Sequence, residues 1–126
     1  MNILVVEDEE HVADILQRAL VEMGNSCVIA RDAAEADRLL DREAIDAMTL
    51  DLGIPDRGGL EWLESVARSR PDLAQKTLVI TGRLLASESV LRVARCGAGL
   101  LAKPFTLRHL NDAVRTQLDH CRPSSD

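Results

Sequence analysis

The chain has 126 residues and a mass of 13.8 kDa, which is room for one domain and too little for a second folded output module such as a DNA-binding domain. Its formal net charge is −6 and only 2% of its residues are aromatic, which argues against nonspecific nucleic-acid binding and against binding of single strands by base stacking. It lacks both an apolar run long enough for a membrane helix and a basic signal-peptide region, so we expect a cytoplasmic protein whose Cys27, Cys96 and Cys121 are reduced.

The first half of the chain alternates short apolar runs with stretches of helical periodicity. Residues 3–6 form a continuous, β-branched run that is typical of a strand covered on both faces, and residues 27–30 and 47–50 repeat that pattern. The two stretches between these runs predict amphipathic helices, with Ile15 on the apolar face of the first and Asp32 as the cap of the second.

The second half continues the alternation, and residues 77–80 and 100–102 predict strands four and five. Apolar spacing predicts three more helices: one that ends before Pro71, one with Val90 and Leu91 on its apolar face, and one that is capped by Thr106 and runs through Leu110, Val114 and Leu118.

Five strands alternating with five helices predict an α/β fold, in which one doubly wound parallel sheet carries helices on both faces. In such a sheet, ligands bind outside the carboxyl ends of the strands, at the point where the strand order reverses. The residues that follow each strand are therefore the candidates for function.

Polar and charged residues follow four of the five predicted strands. Glu7 and Asp8 follow the first strand, Asp51 the third, Thr81 the fourth and Lys103 the fifth. Each of them alone is commonplace as a solvated residue at a turn or helix start. Their ordered combination at one edge of a parallel sheet indicates a shared site.

Three of these side chains are carboxylates, which would repel one another unless a cation bound between them. Mg²⁺ prefers oxygen ligands and keeps water molecules that a phosphate can replace. A lysine and a hydroxyl facing the metal complete a cradle for a phosphoryl group, and Asp51 can act as an in-line nucleophile that forms an aspartyl phosphate. Residues 1–63 hold 15 acidic and five basic residues, a balance of −10, whereas residues 64–126 hold six acidic and ten basic ones, a balance of +4, so the predicted cation site lies in the acidic half.

In these residues the chain resembles the receiver domain of bacterial two-component response regulators, the CheY-like family. The matching segments are ILVVEDE, TLDLGIPDRGGLEWL, LVITG and GAGLLAKPF, and the similarity spans about residues 2–119. The spacing of Asp51, Pro55, Gly59 and Leu60 is highly specific in this context.

The resemblance implies a flavodoxin-like (βα)5 fold with strand order 2-1-3-4-5. It also implies a receiver domain over residues 1–121, followed at 122–126 by a disordered tail or the start of a linker.

The resemblance also implies roles for the residues at the strand ends. Asp51 would accept a phosphoryl group from a phosphohistidine of a sensor histidine kinase or phosphotransfer protein. Glu7, Asp8, Asp51 and the backbone carbonyl of Gly53 would hold Mg²⁺. Thr81 would be the switch hydroxyl, and Lys103 would pair with the phosphoryl oxygens, its bond to Pro104 being cis in this family.

The implied readout is a conformational switch, in which Thr81 moves inward and the loop and helix after strand four repack. The signal would leave through the face formed by the fourth predicted helix, the fifth strand and the fifth predicted helix. We expect a downstream protein or a C-terminal output domain as partner, no direct contact with nucleic acid or membrane, and a monomer or weak dimer. Such a domain is a self-phosphorylating and self-dephosphorylating switch rather than a turnover enzyme.

The sequence departs from the family at several positions. Leu100 stands where most relatives carry an aromatic residue, which puts in doubt the readout that couples that residue to Thr81. Gly53 and Arg83 occupy two positions that tune the phosphoryl lifetime. Arginines including Arg92 lie on or near the predicted signalling face, as partner contacts or as solvated residues. Trp62, just past the phosphorylation loop, is expected to be partly buried.

Two other functions stay open. A degenerate receiver would act as a constitutive protein-interaction module, which requires the departure at Leu100 to be decisive. A metal-dependent phosphatase with an aspartyl intermediate usually has a second Asp two residues after the nucleophile, where this chain has Gly53. A flavodoxin-like FMN carrier is disfavoured because Glu7 and Asp8 would repel the phosphate.

Overall fold

The computed structural model describes residues 1–82 and 85–118, in which five strands form one parallel sheet in the order β2-β1-β3-β4-β5. This confirms the predicted doubly wound sheet and its strand order. The strands are β1 (Asn2–Val6), β2 (Ser26–Ala30), β3 (Ala47–Leu50), β4 (Thr77–Thr81) and β5 (Gly99–Ala102).

The described residues contain six helices, one more than predicted. The additional helix is a single short one that begins at Pro71, the residue expected only to follow a helix end. Proline suits the first turn of a helix because its φ is fixed near the helical value and its missing amide needs no partner there. The helices are α1 (Glu10–Glu22), α2 (Ala33–Arg42), α3 (Gly59–Ser69), α4 (Pro71–Gln75), α5 (Ser87–Arg95) and α6 (Leu107–Leu118).

The sheet is covered on both faces, because successive side chains of a strand point to opposite sides. In β1, Ile3 and Val5 pack in a cluster with residues of α1 and α6. Leu4 and Val6 pack in a second cluster with residues of α2, α3 and α5. The two clusters together bury the apolar runs that mark the strands in the sequence.

The predicted apolar faces of the helices are confirmed in part. The three predicted core residues of α6 are buried. Ile15 of α1 is 49% exposed, and Val90 and Leu91 of α5 are 40% and 54% exposed, so part of each predicted apolar face is open to solvent. Helix α5 buries Val93 instead. Periodicity gives the width of an apolar stripe, but the neighbouring helices decide how much of the stripe is covered.

Local signals at the helix ends are confirmed. Asp32 accepts the amide of Glu35 at 2.8 Å, and Thr106 accepts the amide of His109 at 3.0 Å. After α1 and its capping residue Met23, Gly24 adopts a φ of +96°, a conformation that favours glycine. Among residues 1–82 and 85–118, no helix has the length and apolarity that crossing a bilayer requires. The predicted tail at 122–126 lies outside the described residues.

Candidate metal centre

The candidate site lies at the carboxyl edge of the sheet, where the pairing of neighbouring strands brings the strand-end residues together. The amide of Asp51 donates to the carbonyl of Val6 at 3.0 Å, which places Asp51 beside the start of the Glu7–Asp8 pair. The amide of Lys103 donates to the carbonyl of Thr81 at 2.8 Å. Residues far apart in sequence therefore meet at one edge, because parallel strands end on the same side.

Glu7, Asp8 and Asp51 form an acidic cluster in which one carboxylate oxygen of each lies within 4.8 Å of those of the other two. Three hard oxygen donors at this separation match the ligand preference of Mg²⁺. Asp8 is exposed and Asp51 half-buried, which leaves room for water or phosphate oxygens beside the donors. The residues present therefore fit the predicted metal, and the chain folds them into one cluster.

Glu7 is the buried acid of the cluster. Its side chain is buried, and burial together with hydrogen bonding and charge repulsion from Asp51 raises the pKa of Glu7 to about 7. A buried carboxylate next to a second one favours the neutral form until a cation binds. Burial is the largest cause of the raised pKa, and the hydrogen bond from Lys103 offsets part of it.

Lys103 supplies positive charge from the opposite side. Its Nζ donates to Glu7 Oε1 at 3.1 Å and to Asp51 Oδ2 at 3.3 Å. Burial acts to lower the pKa of Lys103, but its hydrogen bond to Glu7 and the negative charges of both carboxylates raise it. The ammonium group therefore stays protonated beside Asp51. Its peptide bond to Pro104 is cis, as the resemblance implied.

The loop of residues 51–58, named here the β3–α3 loop, is shaped by short contacts. The amide of Gly53 donates to Asp51 Oδ1 at 3.0 Å, which orients the carboxylate. Ile54 is buried in the core beneath the loop. A Cβ on Gly59 would lie 2.5 Å from the Leu52 Cα, so the end of the loop packs directly on its beginning. This contact gives a physical reason for the glycine of the motif.

The switch residues predicted from the sequence lie in different environments. Thr81 is buried at the end of β4, next to Ala102 in the strand register. Leu100 is 39% exposed on the edge strand β5. The structure thus places an exposed leucine, without a polar tip, at the position where the resemblance implied an aromatic residue.

Arg92, one of the arginines expected near the signalling face, is engaged within the molecule. Its guanidinium forms a bidentate pair with Glu64 of α3, in which Nε lies 2.9 Å from Oε2 and Nη2 lies 2.6 Å from Oε1. Nη2 also lies 3.4 Å from Glu61 Oε2. The hydrogen bond from Arg92 lowers the pKa of Glu64. Arg92 therefore ties α5 to α3, whereas Arg83 lies outside the described residues.

Two contacts around the loop escaped sequence reasoning. Trp62, predicted to be partly buried, is only 1% exposed, and its indole nitrogen donates to Asp37 Oδ1 of α2 at 3.0 Å. Asp56 accepts the amides of Ala33 and Ala34 at the start of α2. Each partner is more than 20 residues away in the chain, so no local pattern signals either contact.

Comparison with known proteins places the chain in a single family. The family model for the response regulator receiver domain matches residues 3–115. Response regulator MprA of Mycobacterium avium (strain 104) is 34% identical over 126 residues, which cover 100% of this chain and 54% of the relative. MprA of Mycobacterium tuberculosis (strain ATCC 25618 / H37Rv) is 33% identical over 123 residues, covering 98% and 53%. The chain spans about half the length of these curated relatives.

Solved structures agree with this placement. A CheY-like receiver domain protein from Methanospirillum hungatei JF-1 is 28% identical, with a TM-score of 0.83 and coverage of 94% of both chains. A response regulator from Burkholderia pseudomallei, determined with a phosphorylated aspartic acid, a calcium ion and citrate, is 28% identical, with a TM-score of 0.78 and coverage of 95% of this chain and 69% of that one. The beryllofluoride-activated NtrC4 receiver domain is 25% identical, with a TM-score of 0.83 and coverage of 94% and 97%.

The sheet order, the strand-end residues and the extent of these matches lead to one conclusion. The chain belongs to the response regulator receiver domain family of two-component signalling proteins.

Proposed function

We propose that Asp51 is the phospho-acceptor of this receiver domain and that Mg²⁺ is bound by Glu7, Asp8, Asp51 and the carbonyl of Gly53. The observation that carries the proposal is the position of Asp51, whose carboxylate belongs to the three-acid cluster and also accepts a hydrogen bond from Lys103. Asp51 thus lies between a cation site and a fixed ammonium group. This is the arrangement that transfer of a dianionic phosphoryl group requires.

In the proposed reaction, an oxygen of Asp51 attacks phosphorus as the phosphorus–nitrogen bond of a phosphohistidine breaks. The imidazole takes the electron pair of that bond and leaves as a neutral group, since its other ring nitrogen carries a proton. Bound Mg²⁺ would neutralise charge on the phosphoryl oxygens. Lys103 donates hydrogen bonds to Glu7 and Asp51 in this structure. After the transfer, it would donate one of them to a phosphoryl oxygen instead. Since these residues act by position and charge, no general acid or base is required.

The phosphoryl group would remain on Asp51 until hydrolysis, so we propose a switch rather than a turnover enzyme. Thr81 would donate its hydroxyl to a phosphoryl oxygen, and the loop that leads to α5 would follow. The signal would leave through the face of α5, β5 and α6. The exposed Leu100 supports an apolar contact on that face instead of a buried aromatic rotamer.

The phospho-donor is proposed to be a sensor histidine kinase or phosphotransfer protein that docks beside Lys103. Val12 and Ile15 of α1, Phe105 and Leu107 line an apolar recess that also includes Lys103. Ile15 is 49% and Leu107 59% exposed, so apolar side chains are available next to Lys103, which is bonded to the acceptor. Unpaired apolar surface at the edge of a reactive site supports a protein partner there.

Docking is tested by comparing two phospho-donors on an Ile15→Asp variant. The rate of phosphorylation by a histidine kinase that modifies the wild-type chain should fall at least several-fold, while the rate with acetyl phosphate stays unchanged. Val21→Asp is the matched control, because Val21 is 51% exposed on the same helix and does not line the recess. An equal effect of both substitutions would contradict docking at the recess.

The acceptor is tested by intact-mass measurement after incubation with Mg²⁺ and acetyl phosphate. The wild-type chain should gain one phosphoryl group, and Asp51→Asn should gain none. A phosphorylated Asp51→Asn protein would refute the assignment. Absence of modification in the wild type over a range of Mg²⁺ concentrations would favour the degenerate receiver, and sustained turnover of phosphate esters would favour the phosphatase.

We further propose that residues 1–121 constitute the receiver domain and that its output passes to another protein or to a further domain, without direct contact to nucleic acid. The greater length of the MprA relatives supports the second route. The free thiols of Cys27 and Cys96 support a reducing compartment such as the cytoplasm.

A further inference from the structure

The β3–α3 loop is tied to helix α2 by a carboxylate that takes no part in the proposed ligand set. Asp56 accepts the amide of Ala33 through Oδ1 at 2.9 Å and the amide of Ala34 through Oδ2 at 3.1 Å. These residues begin α2, and the first amides of a helix have no acceptor within it. The hydrogen bond from Ala33 lowers the pKa of Asp56. Both oxygens of a charged carboxylate thus cap α2 from another part of the chain.

Helix α2 also has a local cap. Asp32 accepts the amide of Glu35 through Oδ1 at 2.8 Å, so two carboxylates share the first turn of α2. The local cap acts within one turn, whereas Asp56 lies 23 residues beyond Ala33. Asp56 therefore does something that Asp32 does not: it fixes the loop to the helix.

The start of α2 is likewise fixed to the other half of the candidate metal centre. The amide of Glu7 donates to the carbonyl of Ala30, the last residue of β2, at 2.9 Å. Residues 30–34 therefore connect the end of β1, which carries Glu7 and Asp8, with the β3–α3 loop. This short segment therefore links the two halves of the centre a second time, in addition to the direct bond from the Asp51 amide to the Val6 carbonyl.

The path from Asp56 back to Gly53 is short and stiff. Pro55 fixes its own φ and restricts the backbone of Ile54. The Ile54 side chain is itself buried, with 6% of its surface exposed. A displacement of Asp56 is therefore transmitted towards Gly53, whose amide is bonded to Asp51 Oδ1.

We propose that Asp56 is a positioning residue of the metal centre, which holds the β3–α3 loop so that Asp51 and the Gly53 carbonyl face Glu7 and Asp8 at ligand distance. This inference rests on the proposed magnesium site and adds to it a residue that touches neither the metal nor the phosphoryl group. Helix α2 thereby contributes to the site through its first turn, whose amides bind Asp56.

The test compares Asp56→Ala with Asp32→Ala. Each substitution removes one carboxylate from the start of the same helix, so the loss of charge is matched, while Asp56 loses two amide contacts and Asp32 loses one. We expect the Mg²⁺ dissociation constant, followed on the Gly53 amide signal of ¹⁵N-labelled protein, to rise about three- to tenfold in Asp56→Ala and less than about twofold in Asp32→Ala. Asp56→Asn, which retains one acceptor oxygen, should fall between wild type and Asp56→Ala.

Amide hydrogen exchange of the metal-free protein provides a second readout. Exchange at the amides of Gly53, Ile54 and Asp56 should accelerate in Asp56→Ala and not in Asp32→Ala. Wild-type Mg²⁺ affinity in Asp56→Ala, or an equal loss in both variants, would overturn the positioning role. Failure of the wild-type chain to bind Mg²⁺ would overturn the metal centre itself, and this role with it.

Discussion

Glu7 carries a buried carboxylate whose pKa is raised from 4.5 to about 7, first by burial and then by Asp51. Between these two values the folded chain binds more protons than the unfolded chain, so the free energy of unfolding falls as pH rises through this window. The other shifted acids and bases act outside this window. Asp56 and Glu64 have lowered pKa values and act below it, whereas the raised pKa values of Lys103, Cys27 and Cys96 act above it.

The metal-free wild-type chain should therefore lose stability on the order of 2 kcal/mol relative to Glu7→Gln between about pH 5 and pH 8. The measurement is urea unfolding of both proteins in EDTA across that range. The difference between the proteins isolates Glu7 from the titration of other groups. A difference that does not vary with pH would show that Glu7 is charged throughout.

Thr49 provides a second test at a single position. Its Oγ1 is buried in β3 and has no hydrogen-bond partner among the described residues. A buried hydroxyl without a partner loses its bonds to water and gains none in return. Thr49→Val, which keeps the branched shape, should raise the free energy of unfolding by about 1 kcal/mol, as measured by urea unfolding. Reduced stability would show that the hydroxyl is satisfied in solution.

Among the larger elements, the β3–α3 loop depends on the close approach of Gly59 to Leu52. A Cβ on Gly59 would meet the Leu52 backbone, which cannot move without displacing the loop, whereas a Cβ on Gly58 would meet only the flexible carboxylate end of Glu61. These neighbouring glycines therefore differ sharply in the cost of substitution.

Gly59→Ala should reduce the free energy of unfolding by about 1–3 kcal/mol and weaken Mg²⁺ binding, because the loop must shift to admit the methyl group. Gly58→Ala is the matched control and should have the smaller effect on both quantities. Urea unfolding and Mg²⁺ titration measure the two effects. Equal losses in the two variants would contradict the close approach at Gly59.

Helix α5 is attached to the sheet through few buried side chains. Its buried residue is Val93, with Cys96 half-buried behind it, while Arg92 links the helix to Glu64 and Glu61 of α3. Its exposed Val90 and Leu91 leave an apolar surface towards solvent. A helix with few buried contacts and a side-chain tether is suited to the repacking that the proposed switch requires.

For the whole molecule, the decisive feature is the concentration of negative charge at one edge of the sheet. The three acids are held together by the fold and are compensated in part by Lys103. A cation that binds this edge in the folded state alone adds its binding energy to stability. Folding and metal binding should therefore be coupled.

Mg²⁺ at about one hundred times its dissociation constant should raise the free energy of unfolding by about 2.7 kcal/mol. Thermal unfolding of the wild type with and without Mg²⁺ measures this effect, and Ca²⁺ serves as a second cation. Asp8→Ala should abolish most of the shift, since Asp8 is exposed and its loss leaves the core intact. An undiminished shift in Asp8→Ala would locate the binding site elsewhere.

The α/β class, the five strands and the residues at their ends follow from the sequence, because local periodicity and strand-end position are properties of short segments. Lys103 and Asp51 could be assigned to one site from topology alone, since parallel strands end at a common edge. The motif around Asp51 also indicated the family to which the chain belongs.

Other features required the folded chain. Ile15 lies on an apolar stripe yet is exposed, Trp62 is buried and bonded to Asp37, and Arg92 is bonded to Glu64. Each of these outcomes depends on which elements pack together, and that is set by contacts between segments distant in sequence.

The sequence by itself determined the sheet, its functional edge and the chemistry gathered there, because a parallel α/β topology directs every strand end to one side. Only the tertiary structure decided which burial and which hydrogen bonds keep the residues of that edge in position. The pKa of Glu7 depends on burial among neighbours, and the tie between Asp56 and α2 joins residues more than 20 positions apart. Burial and long-range hydrogen bonding arise only when the segments are assembled.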